Sequence, residues 1–171
     1  MKMNLTLSIL SALLLSIPIP TRSQNLVQNS SFETPNRLPE KNGNSINRCK
    51  HWIAPIGVGD YYVKGTGRHT GTTRNIFGRQ VPHSGIAYAG ICLRTKFLEY
   101  AETTLSDTLK KDQEYLVEFY ICKAERTIGS VKEFGVLFTT ARTWGLKTRG
   151  IAQQPQVEFI NPKGFNNKKE W

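Results

Sequence analysis

The chain has 171 residues, with 23 Lys and Arg against 13 Asp and Glu, which gives a net charge of +10. This length allows one domain of ordinary size and leaves no room for two full hydrophobic cores. A hydrophobic content of 39% and a charged content of 21% exclude a generally disordered chain, and three cysteines exclude a disulfide scaffold.

Residues 1–23 have the plan of a secretory signal peptide. Lys2 supplies an early positive charge, residues 5–19 are almost wholly apolar, and Thr21 and Ser23 are small residues before a cleavage point. The apolar run of about 15 residues is shorter than the roughly 20 that a membrane-spanning helix needs. We therefore expect an exported protein, located in the periplasm, at the outer membrane or outside the cell, with no transmembrane span in the mature chain.

The charge of the mature chain bears on its partners. Cleavage would remove Lys2 and Arg22 and no acidic residue, so the mature chain stays basic. A basic surface favours acidic partners such as anionic glycans or lipid headgroups. No helix-turn-helix, zinc-finger or RNP pattern is present, and we expect no nucleic-acid partner.

The mature chain contains short apolar runs with a period of two, separated by loops rich in Gly, Pro and Asn. This pattern predicts strands over residues 25–33, 60–63, 86–93, 114–123, 134–140 and 157–160. The clearest is the run 114–123, in which Phe119 and its alternate neighbours form a core face while Glu118 and Tyr120 share the other face. No window predicts a convincing amphipathic helix. The sequence therefore predicts an all-β fold, an antiparallel β-sandwich or barrel.

The cysteines leave two alternatives open. Cys92 and Cys122 lie within predicted strands, and a bridge between them is compatible with export. Three unpaired thiols are the other alternative. Cys49 lies in a polar loop and is predicted to be the more exposed thiol.

No motif predicts catalysis. The three histidines lie in predicted loops, neither HExxH nor G-x-S-x-G occurs, and apolar strand cysteines are usually inert. A carboxylate pair of the glycosidase type cannot be read from sequence, because it depends on separation in space. We expect a protein that is not an enzyme, with a secreted glycoside-acting enzyme as a minor alternative.

Candidate ligand-binding residues are aromatic and basic. Exposed rings can contact the apolar face of a sugar, and the candidates are Tyr62, Tyr120 and Trp144. Trp52 and Tyr88 are expected in the core. The loop 64–79 contains Arg68 and Arg74, which could hold a carboxylate or sulfate, although a simply solvated loop explains them too.

Several segments, in order, carry a family resemblance. They are residues 25–33 (NLVQNSSFE), Trp52 followed by 60–62 (DYY), residues 82–90 (PHSGIAYAG), and Glu99-Tyr100 followed by 115–120 (YLVEFY). Together they resemble the N-terminal β-sandwich of exported, OmpA-associated envelope proteins of Gram-negative bacteria. The opening segment is also similar to galactose-binding-like jelly rolls, including carbohydrate-binding modules.

The resemblance implies a jelly-roll, galactose-binding-like sandwich over residues 24–160, with a C-terminal truncation. Residues 161–171 would be a polar basic tail or the start of a truncated final strand. Related jelly rolls often hold a structural calcium ion near the first strand, which implies Glu33 and Asp60 as metal ligands. No other cofactor is expected.

The function implied is binding without catalysis, to a glycan or a peptidoglycan-type component of the cell envelope. The alternative is a protein–protein interaction or structural domain of an outer-membrane, OmpA-like assembly, whose partners would be envelope proteins.

Overall fold

The computed structural model describes residues 24–41, 44–94, 97–143 and 150–171, so the predicted signal peptide lies outside the described residues. The regular structure of the described residues is almost wholly β, and their one helix is a 3₁₀ turn at Ile46–Arg48. This confirms the all-β prediction at the level of secondary structure. Among the described residues, none belongs to a helix long and apolar enough to cross a membrane.

The described residues contain eight strands, which are paired two by two. In chain order they are β1 (Trp52–Ile53), β2 (Asp60–Val63), β3 (Ala87–Gly90), β4 (Leu93–Arg94), β5 (Phe97–Leu98), β6 (Glu102–Thr103), β7 (Val131–Val136) and β8 (Val157–Phe165). The pairs β1–β6, β2–β3, β4–β5 and β7–β8 are all antiparallel, and each forms a two-stranded sheet.

The core is built around β2 and β3. Tyr61 lies opposite Ala89 and Val63 lies opposite Ala87 in the register of this pair. The buried cluster consists of Ile46, Cys49, Tyr61, Val63 and Ala87, with Phe32, Trp52, Ala54 and Ala89 packed against it. Aromatic and β-branched side chains suit such a pleated and covered surface, which explains why this strand was predictable from sequence.

The pair β7–β8 forms a second apolar surface. Phe134 and Phe165 meet edge to face with ring centroids 5.1 Å apart. Phe159 makes a similar contact with Phe119, at 4.9 Å, and this contact brings the segment 114–123 against the pair. β8 continues to Phe165, five residues beyond the predicted strand 157–160.

The segment 114–123, predicted as the clearest strand, forms no strand in the structure. Its backbone N–H at Lys123 donates to the Asn167 carbonyl at 2.7 Å, yet no ladder develops along the segment. Leu116 is 89% exposed, and the rings of Phe119 and Tyr120 are also largely exposed. Sequence alternation reports on side-chain direction, whereas a strand also requires a neighbouring backbone at the right distance.

The opening segment 25–33 is also not a strand. It makes one isolated bridge, Val27 to Leu105, and then turns, with positive φ at Asn29 and Phe32. The Asn29 side chain donates to the carbonyls of Thr34 and Lys50 and accepts from the Thr34 N–H. Such side-chain bonds to the backbone compete with a strand ladder, which explains the local turn.

Candidate functional site

Tyr120 presents a held aromatic ring at the surface. The residue is 53% exposed, and its ring stacks on His83 with centroids 3.7 Å apart and planes 15° apart. Its hydroxyl donates to Glu118 Oε1 at 3.3 Å. The stack and the hydrogen bond restrain the ring, while more than half of the residue stays in contact with solvent. This placement agrees with the exposed position expected from sequence.

A basic cleft lies close to this ring. It has a volume of about 380 Å³ and is lined by Arg79, Gln80, Val81, Glu125, Lys168 and Lys169. The lining carries three cations and one carboxylate. Val81 and His83 are two positions apart, so their Cα atoms lie within about 7 Å of each other. One short stretch of chain, residues 79–83, therefore contributes both to the cleft and to the Tyr120–His83 stack.

Hydrogen bonds join the three chain segments that form the cleft. Glu125 Oε2 accepts the backbone N–H of Arg79 at 2.9 Å, and the Lys168 Nζ donates to the Glu125 carbonyl at 2.8 Å. Trp171 Nε1 donates to the Val81 carbonyl at 2.6 Å. Gly78, with φ of 123°, permits the close approach of Glu125, because a Cβ at this position would lie 2.6 Å from the Glu125 Cβ.

The other predicted ligand-binding residues are not gathered at this surface. Tyr62 is 2% exposed, with its ring 5.1 Å from that of Tyr88, so the expectation of an exposed platform there is corrected. The reason is that β2 is covered on both faces, which leaves neither Tyr61 nor Tyr62 at the surface. Arg68 and Arg74 are exposed on the loop 64–79. Trp144 lies outside the described residues.

The two predicted metal ligands serve as hydrogen-bond acceptors within the fold. The Glu33 carboxylate accepts the backbone N–H groups of Ile86 and Ala87 at 3.0 to 3.1 Å. Asp60 accepts from Asn44 Nδ2 at 3.3 Å and from the Tyr62 hydroxyl at 2.8 Å. Among the described residues, no group of three or more His, Cys, Asp or Glu side chains could hold a metal ion. Calcium binding therefore stays a prediction based on the resemblance.

Replacing Glu33 with Ala should lower the free energy of unfolding by about 1.5–3 kcal/mol, the usual range for hydrogen bonds to a charged group. The carboxylate joins the N-terminal segment to the start of β3, and its loss leaves two backbone donors without this acceptor. Urea unfolding followed by tryptophan fluorescence measures the change. Glu114→Ala, an exposed carboxylate, is the matched control and should change stability little. Equal losses of unfolding free energy in the two variants would contradict the role of Glu33 as a stabilising hydrogen-bond acceptor.

Asp60 lies in an unfavourable place for a charge. The pKa of this carboxyl is raised to about 6, chiefly by burial and to a lesser degree by the nearby Glu99 carboxylate, while the hydrogen bond from the Tyr62 hydroxyl acts in the opposite direction. Burial also raises the pKa of Glu99, although its Oε2 accepts the Cys92 N–H at 2.6 Å. Because the pKa of each carboxyl is raised on folding, the stability of the fold should depend on pH through Asp60 and Glu99.

The cysteines differ from expectation in one respect. Cys49, predicted to be the more exposed thiol, is fully buried in the core, because the residues around it fold over the β2–β3 pair. Burial raises its pKa to about 11, so the thiol is unreactive at neutral pH. Cys92 and Cys122 are partly buried, and none of the three thiols is bridged.

A second cleft lies on the outer face of β7–β8. It has a volume of about 240 Å³ and includes Glu133 and Glu158 in its lining. Glu133 is opposite Ile160 and Glu158 is opposite Gly135, so the two carboxylates are diagonal neighbours on one face.

Sequence reasoning missed His83, Lys168, Lys169 and Trp171 as members of the candidate surface. The basic composition of residues 161–171 was visible, but their position beside residues 79–83 was not. Comparison of the chain with protein-family models, with curated proteins and with solved structures finds no match. The resemblance to OmpA-associated envelope proteins therefore remains a prediction from the sequence segments that carry it.

Proposed function

We propose that the protein is an exported, non-catalytic binding protein for glycans or peptidoglycan-type components of the cell envelope. The observation that carries the proposal is the Tyr120 ring, exposed at the surface and restrained by its stack on His83. A restrained aromatic ring can contact the apolar face of a pyranose without a large loss of side-chain entropy. Neighbouring polar groups can then fix the orientation of the sugar.

The proposal includes a fold and a location. The fold is an antiparallel β-sandwich of the jelly-roll, galactose-binding-like type, supported by the all-antiparallel pairing of the strands and by the order of the segments that resemble such domains. Export is supported by the signal-peptide plan of residues 1–23.

Tyr120→Ala should weaken binding to the target glycan about tenfold, the usual effect of removing one well-placed aromatic contact. The probes are insoluble peptidoglycan in a pull-down assay and a panel of soluble polysaccharides in affinity electrophoresis. His83→Ala should weaken binding by a smaller factor, because the Tyr120 ring loses the partner that restrains it.

Tyr115→Ala is the matched control, since Tyr115 is an exposed tyrosine of the same segment whose hydroxyl is bonded to Lys110 and Gln113. Circular dichroism of each variant verifies that the fold is kept. Binding unaffected by Tyr120→Ala, or equally weakened by Tyr115→Ala, would contradict the assignment of the ring. Hydrolysis of any bound polysaccharide by the purified protein would contradict the non-catalytic role.

The second candidate function is a protein–protein interaction or structural role in an OmpA-like outer-membrane assembly. The observation that favours it is the exposed apolar surface of residues 115–128, where Leu116 and Ile128 are 89% and 98% exposed. Exposed apolar side chains are typical of sites that accept another chain. Leu116→Asp with intact glycan binding but lost retention on outer-membrane proteins would favour this second role.

A further inference from the structure

We propose that the basic cleft binds the carboxylate or sulfate group of an acidic glycan. This inference rests on the glycan-binding function proposed above and specifies the chemistry of the ligand. Arg79, Lys168 and Lys169 supply three cations to a cleft of about 380 Å³, a volume at the small end of the range for ligand sites. The residues come from distant parts of the chain and meet at one place.

Among the residues that the structure describes, none forms an ion pair with a cation of the cleft. The two salt bridges found in the described part of the chain join Arg37 and Arg48 to Glu40 and lie elsewhere. Glu125, the one carboxylate in the lining, is engaged through its Oε2 by the backbone N–H of Arg79. The cleft therefore keeps a net positive charge that an anionic ligand group can balance.

The lining is held in place before any ligand arrives. The Lys168 ammonium donates to the Glu125 carbonyl, and the Trp171 indole donates to the Val81 carbonyl. The Trp171 ring also packs against the buried Tyr88, with centroids 5.5 Å apart. These contacts attach Lys168 and Trp171 to the rest of the fold, so that ordering Lys168 at the moment of binding costs less entropy.

The cleft and the support of the Tyr120 ring share residues 79–83, so one glycan that contacts the ring can extend to the cleft. Val81 lines the cleft, and His83, two positions further along, supports the Tyr120 ring. A pyranose on this ring can direct a carboxylate or sulfate toward Arg79, whose planar guanidinium matches the geometry of either group. A neutral glycan would contact the ring alone.

The test compares the affinity of the protein for acidic polymers with its affinity for their uncharged counterparts. Binding of the protein is measured with polygalacturonate and its methyl ester, and with dextran sulfate and dextran, at low and moderate salt. We expect an acidic polymer to bind at least about tenfold more tightly than its neutral counterpart. Lys168→Gln/Lys169→Gln should weaken binding of the acidic polymer about tenfold, which corresponds to roughly 0.7 kcal/mol for each exposed charge. Added salt should weaken this preference.

Lys110→Gln/Lys111→Gln is the matched control, because it removes an equal charge from another exposed pair of adjacent lysines. Retention of the preference in this control, with loss in the cleft variant, supports the proposal. Equal loss in both variants, or no preference for either acidic polymer, overturns it. The pair of polymers that shows the preference distinguishes a carboxylate ligand from a sulfate ligand.

The outcomes separate this inference from the proposed function. If the neutral polymers bind through Tyr120 and acidic ones bind no better, glycan binding stands and the anion site fails. If the acidic polymers bind through the cleft and Tyr120→Ala has no effect, the anion site stands and the aromatic platform fails.

Discussion

Tyr61→Ala should lower the free energy of unfolding by about 3–5 kcal/mol, the range found for aromatic truncations in packed cores. Tyr61 is the largest fully buried side chain among the described residues, and it packs in the cluster formed with Ile46, Cys49 and Val63. Since small domains have a total stability of roughly 5–15 kcal/mol, this loss would leave a large unfolded fraction at moderate temperature. Thermal and urea unfolding measure the effect.

Tyr61→Phe isolates the hydroxyl of this residue. The hydroxyl donates to the Phe32 carbonyl at 2.7 Å and ties the N-terminal segment to β2. Its removal leaves a carbonyl without this donor and should cost about 1–2 kcal/mol. Tyr115→Phe, which removes an exposed hydroxyl, should cost less than half of this. A Tyr61→Ala protein as stable as the wild type would show that the β2–β3 core does not hold the fold together.

The stability of the protein should fall as the pH rises from about 4 to about 6, by roughly 1–2 kcal/mol from Asp60 alone after allowance for solvent screening. The pKa of Asp60 is raised from 3.8 to about 6 on folding, chiefly by burial. The folded state therefore holds this proton more tightly than the unfolded state. The resulting stabilisation is complete below pH 3.8 and is lost as the pH passes 6. Burial raises the pKa of Glu99 as well, which adds to the same trend.

Asp60→Asn should remove this part of the pH dependence, because an amide fills the same space without titrating. Asn44, Tyr62 and Glu99 face the side chain, and the Tyr62 hydroxyl can turn to accept from the new amide. Urea unfolding of both proteins at pH 4, 5, 6 and 7 gives the difference. Asp112→Asn, an exposed substitution, should keep the wild-type profile. Parallel profiles for Asp60→Asn and the wild type would refute the role of Asp60.

Local pattern predicted some parts of the fold well. The strand at Asp60–Val63 and the loop that follows it were visible, because apolar alternation and a run of Gly and Thr are local signals. Tyr120 is exposed, as expected, although the strand face that it was predicted to share with Glu118 does not form. The burial of Tyr62 could not be predicted from sequence. Alternation indicates that Tyr61 and Tyr62 lie on opposite faces of β2, but it does not indicate that both faces are covered.

The candidate site was predictable only in part because it is assembled from distant segments. The indole of Trp171 meets the Val81 carbonyl across 90 positions of the chain. Lys168 and Lys169 looked like members of a polar tail, and nothing in their own neighbourhood indicated Arg79 as a neighbour. The expected strand at 114–123 failed for a related reason, since a partner backbone is also a non-local requirement.

The pairing of β1 with β6 has a consequence for how the chain reaches its native state. Thr103 donates from its hydroxyl to the His51 carbonyl, 52 positions away, and Val27 makes a bridge with Leu105. Such contacts close long loops, and the entropy of closure is lost before the contacts can compensate for it. Acquisition of this topology is therefore slow compared with that of helical bundles of equal size, and a nascent chain gains little order until most of it has been made.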